Sequence, residues 1–196
     1  MHDNGGGHGA HVFDPKSWMK LESPERRAKM DPEKLADIMG LTGEDVALDI
    51  GCGTGFFAQS VAPRVKNYYG VDISEDLLDV FRSKIRDGVM GNVVLKTGNA
   101  TAMPVESGCC SLAFHVTLFH EIESPEVFHA EIRRVLKPGG RLFAVDWHAR
   151  DTGWGPPVDH RRSVESAIKL MTDGGFAILK EHGIYKDHYV LEAAVR

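Results

Sequence analysis

A short glycine-rich segment with an acidic residue on each side is the part of the sequence best suited to bind a ligand. Gly51, Gly53 and Gly55 alternate with other residues, Asp49 precedes them, and Asp72 follows where the next strand would end. Glycines allow positive φ and let a ligand approach the main chain closely. A carboxylate at the end of the second strand is where ribose hydroxyls find an acceptor. This pattern predicts a nucleoside-binding loop.

The spacing favours one class of nucleotide over another. A dinucleotide loop has the pattern G-x-G-x-x-G, whereas here the bulky Phe56 stands in the place of the last glycine. Asp49 would repel a diphosphate but would attract an ammonium group. A cationic nucleoside is therefore favoured over a nicotinamide dinucleotide. A purely structural role for Asp72, as the cap of the next helix, stays open.

Buried strands and amphipathic helices alternate along the chain around this loop. Ser23 and Asp31, each followed by proline, predict two early helix starts. We expect an α/β, Rossmann-like, doubly wound seven-stranded sheet, mostly parallel, with one antiparallel strand near the C-terminus. The predicted strands are 46–50, 67–72, 93–96, 111–115, 141–146, 177–179 and 188–194, and the later helices are 56–62, 74–86, 125–136 and 160–171.

Length and composition indicate one globular domain. The chain has 196 residues, a net charge of −5 and 42% hydrophobic residues, which suits a single core. We expect residues 1–22 to form a flexible N-terminal tail or lid and residues 23–196 a single domain. No apolar run is long enough to span a membrane. Arg133–Arg134 and Arg161–Arg162 are too sparse for a nucleic-acid footprint and are expected on solvated helix faces.

The cysteine and histidine residues indicate the redox state of the compartment and whether a metal site is expected. Three cysteines, two of them adjacent (Cys109 and Cys110), favour a reducing cytoplasm. His2, His8 and His11 lie in a glycine-rich segment, whereas metal sites use tight spacing on ordered elements. No metal site is predicted. The chain is expected to be a monomer or a homodimer.

Four segments in order resemble one enzyme superfamily. Residues 47–57, 70–78, 98–104 and 111–147 are similar to the class I S-adenosylmethionine-dependent methyltransferases, and to their small ubiquinone/menaquinone-type (methyltransferase type 11) branch. The resemblance implies S-adenosyl-L-methionine as cofactor and S-adenosyl-L-homocysteine as product. It is specific for the superfamily and nearly uninformative about the acceptor.

The resemblance also implies roles for single residues. Asp49 would orient the cofactor's amino group, Asp72 would bind ribose, and Ile73 would lie beside adenine. Asn99, in place of the usual aspartate, would accept a hydrogen bond from the adenine amino group. The implied cofactor-binding residues are Asp49, Gly51, Cys52, Gly53, Gly55, Asp72, Ile73, Asn99, Ala100 and His115.

Methyl transfer from a sulfonium requires alignment and exclusion of water more than a fixed catalytic triad. The candidate catalytic residues are His115, His120 and His148, which follow the fourth and fifth strands. His115 is the preferred base, His120 is expected mainly to order its loop, and Trp147 and His148 are expected to line the acceptor pocket.

The absence of an inserted domain favours a small-molecule acceptor, methylated by in-line displacement. The alternatives are an RNA or protein methyltransferase, or a protein that binds the cofactor without catalysis. The segment 115–119 lacks the Asp/Asn-Pro-Pro-aromatic stretch of amino-directed nucleic-acid enzymes, so nucleic acid is not expected as a partner. Cys109–Cys110 leave an arsenic methyltransferase as a minor alternative.

Overall fold

The computed structural model describes residues 15–85 and 90–196. Within these residues, seven strands form one sheet. They are β1 (Val46–Ile50), β2 (Asn67–Asp72), β3 (Val93–Thr97), β4 (Cys110–Val116), β5 (Leu136–Trp147), β6 (Phe176–Glu181) and β7 (His188–Val195).

The strand order confirms the predicted fold. It is β3-β2-β1-β4-β5-β7-β6, and β7 runs antiparallel to both of its neighbours. After β1 the chain builds outward through β2 and β3, and it then returns to place β4 on the other side of β1. In such sheets ligands bind beyond the carboxyl ends of the strands where this reversal occurs. The loop that follows β1 lies at that position.

The helices begin largely where the caps predict. Ser23 Oγ accepts a hydrogen bond from Arg26 N at 3.1 Å, and Asp31 Oδ1 accepts one from Glu33 N at 3.1 Å, so both predicted starts are confirmed. Among the described residues the α-helices are α1 (Pro24–Lys29), α2 (Pro32–Ile38), α3 (Ala58–Val61), α4 (Glu75–Ile85), α5 (Pro125–Val135) and α6 (Val164–Asp173).

Several boundaries differ from the predictions by one or more residues, and three of the differences have a clear local cause. The helix expected over 56–62 is α-helical only in α3, because the glycine loop turns tightly just before it, with Gly55 N bonded to Cys52 O at 2.9 Å. The helix expected over 160–171 begins at Val164, because Ser163 caps it. The strand β5 begins at Leu136 instead of Arg141, because Leu136 already pairs with β4.

The core consists of two apolar layers, one on each face of the sheet. The helices α2 to α4 cover one face with side chains such as Leu35 and Phe81, and Met30, which follows α1, is buried in the same layer. The helices α5 and α6 cover the other face, where Phe128 and Met171 are fully buried. Burial on both faces explains why the central strands are almost continuously apolar.

Gly55 is required both by its backbone conformation and by its surroundings. Its φ is +76°, and a Cβ there would lie 2.4 Å from Phe81 Cε2. Gly108 has φ +62° and nothing within 4 Å of such a Cβ. An alanine at position 108 would therefore carry the backbone strain of a positive φ without a steric clash.

We expect Gly55→Ala to be less stable than Gly108→Ala by about 1–3 kcal/mol, the typical cost of overpacking a core. Urea denaturation of both variants measures the difference. Equal destabilisation of the two would contradict the close packing of Phe81 on the glycine loop.

Candidate functional site

The glycine loop after β1 lies between two apolar side chains from distant parts of the chain. Gly51, Gly53 and Gly55 all have positive φ. A Cβ on Gly51 would lie 3.1 Å from Leu118, and one on Gly53 would lie 3.6 Å from Leu21. Only glycine adopts this sequence of conformations without strain. The loop therefore has only main-chain atoms at these three positions of the switch point, where Gly51 is half-buried and Gly53 and Gly55 are buried.

Asp72 ties the glycine loop to the start of α4. Its Oδ2 accepts a hydrogen bond from Gly53 N at 2.7 Å, and its Oδ1 accepts one from Ser74 N at 2.9 Å. The structural role left open by the sequence is therefore real. A carboxylate oxygen has two lone pairs, so each oxygen keeps acceptor capacity for a hydroxyl. Burial raises the pKa of Asp72, and its main-chain donors oppose that rise.

Asp49 lies beneath the loop and is hydrogen-bonded by a buried phenol. The Tyr68 hydroxyl on β2 donates to Asp49 Oδ2, and both side chains are almost completely buried. Burial raises the pKa of Asp49 to about 7, with Asp72 adding to the rise and with Tyr68 and Arg26 opposing it. The carboxyl group is thus poised between its two protonation states near neutral pH.

The end of the expected N-terminal tail packs on this loop. Residues Pro15–Glu22 form a 3-10 helix, while residues 1–14 and the histidines predicted not to bind metal lie outside the described residues. Glu22 Oε1 accepts hydrogen bonds from Thr54 Oγ1 and from Lys84 Nζ, the latter at 2.5 Å. Lys84 Nζ also donates to Thr54 O at 2.8 Å. These contacts attach the 3-10 helix to the glycine loop and to α4.

The residues expected beside adenine differ in how well they suit that role. Ile73 is 58% exposed, so it offers an apolar surface next to Asp72. Asn99 Oδ1 accepts from both Thr101 N at 2.9 Å and Thr101 Oγ1 at 2.8 Å. Both lone pairs of that oxygen are used, so it does not suit the predicted bond from an adenine amino group. The amide donor Nδ2 is the group that Asn99 can offer. Ala100 follows in the same loop, half-buried.

His115 is buried among aromatic side chains. Its ring is fully buried, 5.8 Å from the Phe119 ring and 5.4 Å from the Phe128 ring between centroids. Neither ring nitrogen has a hydrogen-bond partner among the described residues. Burial lowers the pKa of His115 to about 4. This placement argues against the predicted base, because a base must reach its substrate.

His120 and Asp146 form a buried pair where β4 and β5 end. His120 Nδ1 lies 2.8 Å from Asp146 Oδ1, and His120 N donates to Asp146 Oδ2 at 2.9 Å. Burial lowers the pKa of His120, but the hydrogen bond and charge of Asp146 outweigh it, so the net shift is upward. Thr117, with φ +52°, makes the sharp turn that directs the chain back towards Asp146. Such strain in a β-branched residue is typical of functional turns.

The segment after β5 is organised by an arginine that the sequence placed in solvent. Arg161 is buried and donates to the carbonyl oxygens of Pro156, Arg150 and Trp154 at 2.7–2.9 Å. The expectation of a solvated helix face at this position is therefore wrong, because folding the 148–161 segment needs an internal donor for its carbonyls.

Trp147 is packed against two aromatic rings of this region. Its ring is 5% exposed and lies 4.5 Å from the Trp154 ring and 4.1 Å from the His188 ring. His148 is half-buried, and burial lowers its pKa. In the described part of the chain no hydrogen bond joins His148 to His120. The acceptor-pocket role predicted for Trp147 and His148 stays a prediction.

Sequence reasoning missed two members of the site. Tyr68 appears in the sequence as one of several apolar strand residues. It pairs with Ala47 in the sheet, and its hydroxyl reaches Asp49, two residues further along β1. Arg26 appears as one of two adjacent arginines in a helix, and its contact with Phe56 joins segments far apart in sequence. A signal for Tyr68 was available, because a tyrosine in a buried strand needs a partner for its hydroxyl.

Within residues 15–85 and 90–196, no helix is long and apolar enough to cross a bilayer. No group of three or more His, Cys, Asp or Glu side chains in these ranges is arranged to hold a metal ion.

Comparisons with known proteins agree with this geometry. A family model described as a methyltransferase domain matches residues 48–144. A demethylmenaquinone methyltransferase of Lactococcus lactis is 33% identical over 121 residues, which are 58% of this chain and 45% of the relative. A ubiquinone/menaquinone biosynthesis C-methyltransferase of Saccharophagus degradans is 33% identical over 119 residues, 57% of this chain and 46% of that relative. The chain spans about half the length of the curated relatives it matches.

Solved structures extend the similarity over nearly the whole chain. A crystal structure of an S-adenosylmethionine-dependent methyltransferase from Aquifex aeolicus matches with a TM-score of 0.87 and 26% identity, covering 94% of this chain and all of that one. The [4+2]-cyclase SpnF, at 22% identity and a TM-score of 0.71 over 83% of this chain and 80% of that one, shows the fold alone. The chain therefore belongs to the class I S-adenosylmethionine-dependent methyltransferases, in their methyltransferase type 11 branch.

Proposed function

We propose that this protein transfers the methyl group of S-adenosylmethionine to a small-molecule acceptor. The observation that supports this most directly is the pair of buried carboxylates, Asp49 and Asp72, on either side of a positive-φ glycine loop. Relatives named for methylation of menaquinone and ubiquinone precursors favour a small acceptor. The single helix α5 between β4 and β5 also favours one, because inserted domains often build larger acceptor sites.

The residues at the switch point fit this cofactor. Asp49 would attract its ammonium group, and Asp72 has the acceptor capacity that ribose hydroxyls need. Ile73 would cover one face of adenine with its exposed side chain. The glycine loop would contact the methionine part with main-chain atoms. When bound, the cofactor supplies an electrophilic methyl group on a sulfonium, which is already a good leaving group.

His120, paired with Asp146, is a better candidate for the general base than His115. Asp146 would accept a hydrogen bond from the protonated Nδ1 of His120, which leaves Nε2 as the acceptor nitrogen. Nε2 would take the proton of an acceptor hydroxyl, thiol or amine as the new bond to carbon forms. The hydrogen bond to Asp146 would stabilise the resulting imidazolium. His120 would also order its loop, because its main chain is bonded to the same carboxylate.

Turnover tests the function. Purified protein with S-adenosylmethionine should release S-adenosylhomocysteine with at least one class among quinols, phenols, thiols and amines, measured by mass spectrometry of both products. Release of S-adenosylhomocysteine together with a methylated RNA or protein, and with no small acceptor, would contradict a small-molecule function. Cofactor binding without turnover on any class would favour a non-catalytic binder.

Cofactor affinity should depend on pH through Asp49. An ammonium group favours the ionised carboxylate, and the pKa of Asp49 is raised to about 7. The affinity for S-adenosylhomocysteine should therefore fall as pH decreases below about 7, by up to about tenfold per pH unit. Isothermal titration calorimetry from pH 5 to pH 8.5 measures this dependence.

Tyr68→Phe should move the midpoint of that dependence to higher pH, because it removes a hydrogen bond that favours the charged form of Asp49. Tyr69→Phe is the matched control, since Tyr69 lies on the opposite face of β2, near Cys109 and Cys110. An affinity that is constant between pH 5 and pH 8.5 would be incompatible with an ammonium site at Asp49.

Activity should depend on pH through His120, and Asp146 should set the midpoint of the pH profile. Because the base must be neutral and its pKa is raised above 6.5, kcat/KM should rise with pH through a midpoint above 6.5. Asp146→Asn should lower that midpoint by removing the charge that favours imidazolium.

His120→Asn should reduce kcat by about 100-fold or more, the usual contribution of a general base. His160→Asn, on the exposed segment after β5, serves as control; a flat profile in the unmodified protein would refute the base.

A further inference from the structure

Arg26 lies at the boundary between α1 and the glycine loop. Its Cζ is 4.6 Å from the centroid of the Phe56 ring and 5.8 Å from that of Phe57. Its Nη1 donates to Leu21 O at 2.8 Å, and the Leu21 side chain itself lies against Gly53. The guanidinium therefore stands beside the loop at which the methionine part of the cofactor is expected.

Most of the donors of this guanidinium lack an acceptor within the described ranges. A guanidinium has five N–H groups, and Leu21 O is the acceptor found for them. No carboxylate of the described residues is within ion-pair distance of Arg26, whereas Arg64, Arg82 and Arg134 each have one. Glu22, which is close in sequence, is bonded to Thr54 and Lys84.

Arg26 stays positively charged at neutral pH although its surroundings disfavour the charge. Burial lowers its pKa to about 10, and the nearby charges of Glu22 and Asp49 oppose that change. A partly desolvated cation is stabilised when an anion approaches its free donors. Arg26 is half-buried and its remaining N–H groups keep contact with solvent, so they are available to an anionic ligand.

The charges around the loop are suited to the methionine part of the cofactor, which has a charged group of each sign. Asp49 offers a negative charge and Arg26 a positive one, and each perturbs the other electrostatically. Methionine carries an ammonium and a carboxylate on the same carbon. With the ammonium at Asp49, the carboxylate needs a cation nearby, and the planar guanidinium is the side chain best matched to it.

We propose that Arg26 binds the carboxylate of the methionine part of the cofactor, so that the N-terminal helix α1 completes the cofactor site. This inference rests on the proposed function, since it assumes the cofactor. It adds a binding residue from outside the segment that the family model matches, which begins at residue 48. It also gives the packing of the 3-10 helix and α1 on the loop a functional consequence: the cofactor would hold them in place.

Two ligands that differ only in the carboxylate test the proposal. S-adenosylhomocysteine has both charged groups, and its decarboxylated analogue, S-adenosyl-3-thiopropylamine, keeps the amine alone. In calorimetric titrations at pH 8 the unmodified protein should bind the analogue about 10- to 100-fold more weakly. Arg26→Gln should bind both ligands with nearly the same, low affinity, and Arg26→Lys should retain part of the difference.

Arg27→Gln is the matched control. Arg27 is adjacent, is exposed, also lies near the Phe56 ring at 5.2 Å, and donates to Gln59. It should keep the ratio of affinities of the unmodified protein. The ratio is insensitive to a partly unfolded sample, because unfolding weakens both ligands equally.

The outcomes separate this inference from the proposed function. If Arg26→Gln keeps the unmodified ratio, or weakens both ligands by the same factor, Arg26 only supports the packing and the inference is overturned while the function stands. A ratio near one in the unmodified protein overturns it as well. If the unmodified protein binds neither ligand, the proposed function itself fails. If Arg26→Gln does not fold, the ratio in Arg26→Lys decides: a reduced ratio supports the inference, and an unchanged ratio contradicts it.

Discussion

The carboxylate of Asp72 is bonded to two main-chain segments at once, and the shape of the site depends on both bonds. One joins it to Gly53 in the loop after β1, and the other to Ser74 at the entrance of α4. Without an acceptor at this point, the positive-φ loop would leave a buried donor unsatisfied. Asp72 therefore fixes the conformation of a loop that is largely buried. Under the proposed function, its remaining lone pairs would accept hydrogen bonds from ribose hydroxyls, so the same residue would serve the local fold and the ligand.

The N-terminal segment also contacts the glycine loop. Leu21 lies on Gly53, and Glu22 is bonded to Thr54 and Lys84. Arg26 brings a positive charge to a region where Asp49 and Asp72 would otherwise repel each other. That repulsion contributes to the raised pKa of Asp49, and a bound zwitterion would relieve it.

The parts of the site that are local in sequence were predictable. The glycine loop, Asp49 and Asp72 follow from residue types and spacing, and the alternation of strands and helices gives the sheet. Contacts across the sequence were not predictable from one chain. Tyr68 pairs with Ala47, and its hydroxyl reaches along the sheet to Asp49. Asp146 is bonded to His120 where β4 and β5 end, and Arg161 is buried by a segment without a regular hydrophobic pattern. His115 shows the same limit, since its position at the end of β4 was clear but its face of the sheet was not.

The most direct measurement of the central claim is a comparison of ligands at the glycine loop. The claim is that Asp49 and Asp72 select a cationic nucleoside with an amino-acid end and exclude a dinucleotide. In thermal unfolding scans, S-adenosylmethionine and S-adenosylhomocysteine should raise the Tm of the protein while NAD leaves it unchanged, and Asp72→Ala should abolish the rise. A rise with NAD, or no rise with either sulfur nucleoside, would contradict the account.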